Sequence, residues 1–452
     1  GEEAAEPLAL LQARAGRAPA AGASCLAAEL SDGRLDYLAG GPYSAQEVGQ
    51  VAANMAANMF PNGTVLASPS NGSLIGVVGG IVCAYPDYYN MWTRDAAVGM
   101  RSLFRALAGS AAGAEALLDP ASAAFQQFMA YARLVQSQWA QADPNTDCPP
   151  GNVYCPIVAE AKFFVNGSVY NQPWGRPQND GPALVALVLL EYANLALDAG
   201  RNGSWLSEHG MTAVIEQALG FLQFWYMEAS IGPWENRYAQ HFYVSALQRR
   251  ALAAGAALAG RLGGSSASLA ASAKNYALAA SKLGPIVESF WSTEQQLVRA
   301  RLGDLYDYWP PRCFLSQANA TSSALPCSVD TQVLIGALYA KARGPDAAEF
   351  PDVISPADAR LLATASTLVH SMAPHYAVNA LDDERGLPGV LIGRFPGDNF
   401  QGYLENGVSE SPTSPKPPMG PLWGNPWFLT TQVLAEELYE LSAAAAGGGL
   451  PL

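Results

Sequence analysis

The sequence predicts an all-α fold on three observations. Helical stretches alternate with Gly/Pro/Asn-rich connections from Ser44 onward. The stretch beginning at Asp180 is apolar all round (Ala183, Leu184, Val185, Leu187, Val188, Leu189, Leu190), which predicts a helix buried on every side. The stretch beginning at Gln240 mixes Arg249 and Arg250 with an Ala-rich run and reads as a more peripheral helix, so two helical layers are expected. Strand-like segments are few, Thr64 to Ala67 and Gly389 to Gly393.

The helices are predicted over 44–60, 94–109, 121–141, 180–199, 209–229, 240–262, 266–281, 328–343, 356–374 and 426–443. Asn425-Pro426 and Ser355-Pro356 place a capping side chain before Pro at a first helical position. Ser355 to Asp358 resembles a capping box with Asp for Glu, and Asp180 is positioned to cap the run behind it. Residues 1–43, Ala/Gly-rich and weakly periodic, read as an irregular lead-in, and 444–452 as a low-complexity tail.

At about 150 residues per domain, 452 residues suggest three domains. Half the residues are hydrophobic and 14% are charged, which is enough apolar material for a large core and excludes disorder as the main state. A net charge of −14 argues against a nucleic-acid partner, which needs a basic face. The apolar runs Ile75 to Tyr85 and Ala183 to Leu197 are too short or broken by Glu191 and Asn194, so no membrane partner is expected. The cysteines at 25, 83, 148, 155, 313 and 327 and the four scattered histidines lack zinc-site spacing, and no metal or cofactor is expected. Sequons at Asn62, Asn71, Asn166, Asn202 and Asn319 exceed the roughly two expected by chance. They point to a glycosylated, disulfide-permissive protein of the extracellular space or secretory lumen. The chain opens on Gly1, so its N-terminus reads as processed or incomplete.

The chemistry concentrates in four connections: 87–95, 174–180, 232–236 and 393–398. Each sets Trp, Tyr or Phe beside Arg/Asp or Glu. Flat aromatic faces stack on sugar rings, while Arg and Asp hydrogen-bond hydroxyls in fixed geometry. One such loop is ordinary packing. Four repeats point to a pocket for a neutral carbohydrate.

These blocks resemble glycoside hydrolase family 15, the glucoamylases, from about Val65 to Leu441. Trp92-Thr-Arg-Asp95, Trp174-Gly-Arg-Pro-Gln-Asn-Asp-Gly-Pro-Ala-Leu184, Trp234-Glu235 and Gly424-Asn-Pro-Trp-Phe-Leu429 stand in family order. The resemblance implies an (α/α)6 toroid over 44–443 as one catalytic domain. It implies release of glucose from non-reducing ends of starch and maltooligosaccharides, by a monomer. It places Arg94 and Asp95 on the terminal glucose, Tyr88 and Trp92 in the pocket wall, and Trp174 over the site. Arg394 becomes a further substrate-binding residue, and Asp398 and Trp427 fall near outer subsites. Glu235 becomes the general acid, preceded by Trp234. Burial against Trp234 is expected to raise the pKa of that acid, as glycosidic cleavage requires.

Three departures accompany the resemblance. Asn236 stands where the family usually has a second Glu, and Gly397 where fungal members have Glu, so specificity beyond the first glucose is expected to change. The Pro-rich stretch 404–418 is an insertion before Gly424. It reads either as a loop overhanging the pocket or as a surface excursion. The family's catalytic base comes from a segment well beyond Asn-Pro-Trp, and the chain ends at Leu452, so the toroid is expected to lack its last helices and the base. A glucan-binding or regulatory protein that keeps the pocket without the base, or a relative acting on trehalose or dextran, stays open.

Overall fold

The computed structural model describes Leu26 and residues 44–68, 74–78, 81–84, 88–140, 158–170, 174–235, 237–262, 267–307, 329–342, 351–387, 389–396, 398 and 426–446. At 74–78, 81–84, 140, 267–270, 304–307 and 375 only the backbone is described. The 404–418 insertion, Asn236, Gly397 and five of the six cysteines lie outside the described residues, and of Cys83 only the backbone is described. Of the expected lead-in only Leu26 is described. It is helical and buried.

The described chain is dominated by helices, numbered here in order: α1 (Ala45–Ala57), α2 (Thr93–Ala108), α3 (Ala111–Leu118), α4 (Ala123–Ala140), α5 (Asp180–Asp198), α6 (Gly203–Glu208), α7 (Met211–Trp225), α8 (Phe242–Leu262), α9 (Ala267–Glu288), α10 (Gln332–Tyr339), α11 (Ala359–Met372), α12 (Ala377–Glu384) and α13 (Phe428–Ala446). Each of the ten predicted spans carries one of them. The short helices α3, α6 and α12 were not predicted. Packing divides the chain into two compact units, one comprising 1–174, 184–218 and 403–407, the other 175–183, 219–402 and 408–452.

In the first unit, α2 packs on α3 and α3 on α4. Its core gathers Phe104, Phe128 and Tyr192 in edge-on and tilted contacts, with Phe128 and Tyr192 ring centroids 5.0 Å apart and the Tyr192 hydroxyl donating to Leu117 O. Glu191, one of the two polar breaks in the apolar run of α5, receives Arg101 at 2.6 Å and Arg105 at 2.9 Å. Burial works to raise the Glu191 pKa, but the two guanidiniums outweigh it and hold the carboxyl down at about 2. By length and composition alone α5 is apolar enough to cross a membrane. Of its most apolar stretch, 78% is buried within the protein, as the all-round apolar pattern predicted. Gly63, at φ 92, lies so close to α4 that a Cβ would meet the Ala130 backbone at 2.4 Å, which requires glycine twice over.

In the second unit, α8 packs against both α9 and α10. Nearly all of α8 is buried, including Gln248 and Arg250, so the expectation of a peripheral helix fails. The small side chains that look undistinguished in sequence are what let neighbours approach. At Gly336 of α10 a Cβ would come within 2.9 Å of Tyr243 Cα. Helix α9 continues past its predicted end through Pro285, and exposed positions recur along it. Helix α13 packs on α10 and runs to Ala446, into the expected tail.

Strands are short: β1 (Leu74–Val78) pairs with β2 (Ile81–Ala84), β3 (Met91–Trp92) with β4 (Lys162–Phe163), and β7 (Trp291–Ser292) with β8 (Leu297–Val298). A three-stranded sheet orders β5 (Ser230–Ile231), β6 (Arg237–His241) and β9 (Arg301–Asp307), all antiparallel. The predicted strand at 64–67 is reduced to a single bridge, Met59 with Val65, and 389–393 is not a strand. The predicted caps are also corrected. Helix α11 starts at Ala359 with Asp358 as the cap, its side chain accepting from Arg360 N, while Pro356 lies in the preceding turn. Pro426 likewise stands outside α13, and Asp180 is the first residue of α5 rather than its cap. A full capping box forms instead at Ser44 and Glu47.

Candidate active site

Glu235 sits in the turn between β5 and β6 at φ 58, a backbone region that favours glycine. Two bonds close this turn: Glu235 N donates to Gly232 O at 2.9 Å, and Gly232 N donates to Arg237 O at 3.2 Å. The carboxylate meets Gln178, whose Nε2 donates to Oε1 at 2.8 Å and to Gly175 O at 3.0 Å. The 175–180 segment is docked on the same hairpin. Ile231 N donates to Pro177 O at 3.0 Å, and Asn179 N to Ser230 Oγ at 3.2 Å.

Trp234, beside Glu235 in the turn, commits its polar edge elsewhere. Its indole Nε1–H donates to Asp330 Oδ1 at 2.8 Å, and its ring meets Trp427 edge-on at 5.9 Å. Asp330 is fully buried just ahead of α10. It also accepts from Gln332 N at 2.9 Å and Gln332 Nε2 at 2.8 Å. Burial raises its pKa from the ordinary carboxylate value, opposed by these hydrogen bonds and by Arg301. His241, also buried, places Nδ1 2.9 Å from Gln332 Oε1 and Nε2 3.1 Å from Arg237 O, and burial pushes its pKa down to about 4.

The same helix start organises the Arg394 segment. Thr331 N donates to Arg394 O at 2.8 Å, and Thr331 Oγ1 to Gly393 O at 2.8 Å. Arg394 forms a two-pronged, buried pair with Asp398, at 2.8 and 2.7 Å. Its guanidinium lies 4.8 Å from the Trp427 ring and 5.6 Å from the Trp234 ring. The second unit thus brings together Trp234, Glu235, Arg394, Asp398 and Trp427.

The first unit gathers the remaining aromatics. Tyr88 meets Trp92 edge-on at 5.8 Å, and Trp92 meets Trp174 at 5.5 Å. At their centre is Lys162, 2% exposed, with Nζ 4.2 Å from the Trp92 ring, 4.0 Å from Trp174 and 4.0 Å from Tyr170. A desolvated cation held by three ring faces is a strong cation–π arrangement. Strand pairing sets Trp92 opposite Lys162. Thr93 then starts α2, anchored by its N–H on Ala161 O at 2.9 Å and its hydroxyl on Glu160 O at 2.7 Å. Arg94, half-buried, and Asp95, exposed, follow in the first turn.

Sequence reasoning missed Lys162, Gln178, Asp330 and His241. Gln178 lies inside a quoted motif, and Lys162, with Glu160, is a charged residue set among Val, Ala and Phe, which is a legible signal. Asp330 and His241 carry none, because their partners are distant in the chain. Among the described residues, no group of three or more His, Cys, Asp or Glu could hold a metal ion.

The profile of "Glycosyl hydrolases family 15" matches residues 47–451. A "Glucoamylase" of Blastobotrys adeninivorans is 31% identical over 363 residues, 78% of this chain and 49% of the relative. A "Probable glucoamylase" of Schizosaccharomyces pombe is 28% identical over 392 residues, covering 86% of this chain and 67% of its own length. The chain therefore spans about half the length of the Blastobotrys relative. Among solved structures, the Saccharomycopsis fibuligera glucoamylase aligns with a TM-score of 0.62 at 22% identity, covering 94% of this chain and 74% of that one. The family 15 glucoamylase of Hypocrea jecorina aligns at 0.63 and 22%, covering 88% and 55%. These likenesses show the fold class: all-α, of the (α/α)6 kind.

Proposed function

Because the chain belongs to glycosyl hydrolase family 15, we propose that it releases glucose from the non-reducing ends of α-1,4-glucans, with Glu235 as general acid. Starch and maltooligosaccharides are the substrates. The observation that carries this reading is the Glu235 carboxyl, presented from a turn in a glycine-favouring conformation and oriented by Gln178.

On this reading Oε1 accepts from Gln178 and Oε2 is the oxygen that carries the proton to the substrate. Oε2 gives that proton to the glycosidic oxygen as the bond to the anomeric carbon breaks. Water adds to the opposite face, and a base removes the water's proton, restoring neutrality with inversion. No described residue is assigned that base. The two carboxyl groups of inverting enzymes stand about 6.5–9.5 Å apart.

The remaining roles follow the chemistry of each group. Arg94 and Asp95 hold the hydroxyls of the terminal glucose, and Tyr88, Trp92 and Trp174 supply apolar ring faces. Arg394 donates to sugar hydroxyls, its fork stiffened by Asp398, and Trp427 offers a ring face near an outer subsite. A secretory origin is part of the same proposal. Asn62, Asn166 and Asn202 are all exposed, as glycan acceptors must be.

The test is proton NMR of the products from maltotetraose. Early accumulation of β-glucose is expected, because inversion converts an α-linkage into the β-anomer. Early α-glucose, or release of maltose units, would overturn the reading.

A further inference from the structure

We propose that Asp330, acting with Gln332 and His241, is a positioning unit that sets the direction of the Glu235 carboxyl. The proposal rests on the reading of Glu235 as the acid.

Five residues lie along one polar path. Trp234 Nε1 donates to Asp330 Oδ1 at 2.8 Å, and Gln332 Nε2 donates to Asp330 Oδ2 at 2.8 Å. Gln332 Oε1 faces His241 Nδ1 at 2.9 Å, and His241 Nε2 faces Arg237 O at 3.1 Å. The path therefore grips the turn at Trp234 and sets the His241 ring against Arg237, on the other side of Glu235; a neutral imidazole has one N–H, so it bonds either Gln332 Oε1 or Arg237 O and not both. Its three central members, Asp330, Gln332 and His241, are each no more than 1% exposed. The imidazole also fills the space beneath the turn, where a Cβ on Gly232 would come 2.3 Å from the ring.

A turn of this kind needs such a clamp. Glu235 holds φ 58, and a residue with a side chain persists there only when its surroundings over-determine it. Two short backbone bonds close the turn but do not fix where Trp234 points. Asp330 does so, from a position 96 residues away on a rigid helix start. A shift of about 1 Å in a catalytic group can cost ~10²-fold in rate, so loosening Trp234 should reduce turnover without abolishing binding.

The hydrogen-bond bookkeeping separates shape from charge. In Asp330→Asn, Oδ1 still accepts from Trp234 while Nδ2 replaces Oδ2. The Gln332 amide turns over to accept from Nδ2 and donates to His241 Nδ1, and His241 Nε2–H donates to Arg237 O. Every partner in that variant is satisfied. In Asp330→Ala the acceptor is lost.

The experiment measures glucose release from maltotetraose by the full chain and by Asp330→Ala, Asp330→Asn, Trp234→Phe and the Ala/Phe double variant. Thermal midpoints accompany each assay. Asp330→Ala should lower kcat by about 30- to 100-fold with KM within about threefold. Asp330→Asn should stay within about threefold of the parent, and the double variant should be no worse than Asp330→Ala, because both changes break one link. An unchanged kcat in folded Asp330→Ala, or losses that multiply in the double variant, would overturn the proposal. So would an Asn variant as impaired as Ala. Should Asp330→Ala fold poorly, Asp330→Asn and Trp234→Phe still decide it. The indole proton of Trp234, assigned by its loss in Trp234→Phe of ¹⁵N-Trp protein, should exchange slowly in the parent. Absence of glucose release by the parent would refute the glycosidase reading, and rapid exchange of that proton would refute the clamp.

Discussion

Glu437 on α13 offers a sharp pH test of the fold. Its side chain is fully buried, and neither carboxyl oxygen has a hydrogen-bond partner among the described residues. Burial is the main cause of a pKa pushed up to about 7 from an ordinary 4.5. The like charges of Glu440 and Glu436 add to it, and Lys341 opposes it. In the unfolded chain the carboxyl loses its proton near 4.5. In the folded chain it keeps the proton up to about 7. Across that window the unfolded state is favoured by release of the proton, so stability is full below about pH 4.5 and falls until about pH 7. At about 1.4 kcal/mol per unit the loss is roughly 3 kcal/mol. Taking about 2 °C per kcal/mol for a long chain, the midpoint shift is about 6 °C. Glu437→Gln keeps the shape and removes the titration. Thermal unfolding at pH 5 and pH 8 should show the variant gaining on the parent by about that amount at the higher pH. An equal difference at both pH values would refute the reasoning.

Three further outcomes follow. Glu191 is held down at about 2, so its contribution is present above about pH 4.5 and lost as pH falls through about 2. Thermal scans of Glu191→Gln should therefore diverge from the parent above about pH 4.5 and converge with it near pH 2. Gly63→Ala must place a Cβ 2.4 Å from the α4 backbone at positive φ, and denaturant unfolding should show a loss of at least about 2 kcal/mol. Lys162→Met keeps the stem of the caged side chain but removes the cation. It should cost about 2 kcal/mol and alter the near-ultraviolet circular dichroism of the surrounding tryptophans.

Much of the helical framework was legible because long helices carry their own signal. The apolar run of α5 and the Ala-rich runs of α8 and α9 declare their type through composition and period. Layering was less legible. Helix α8 is buried despite Arg249 and Arg250, because Arg250 is enclosed and neighbours close over small side chains. The helices α3, α6 and α12 are six to eight residues long, too short for a periodic pattern to stand out. The two-residue strands are fixed by tertiary pairing rather than alternation. Caps went astray where Pro suggested a helix start that Asp358 provides two residues later.

The candidate site divides along the same line. Trp234, Glu235, Arg394, Asp398 and Trp427 could be singled out because each stands in a compact local motif. What holds them could not. Asp330 belongs to the site only because a fold brings it to Trp234, and Lys162 because strand pairing sets it under Trp92. The partners of the pair were not legible either: the indole N–H of Trp234 donates to Asp330, and Gln178 donates to the Glu235 carboxylate.

The central claim is that Glu235 supplies the proton for glycosidic cleavage. Its most direct test is glucose release from maltotetraose by the parent and Glu235→Gln side by side, with maltotetraose binding measured calorimetrically in both. The account predicts a fall in kcat of at least about 10²-fold with binding retained, since the amide keeps the Gln178 contact but has no acidic proton to give. Equal turnover by the two proteins would contradict it.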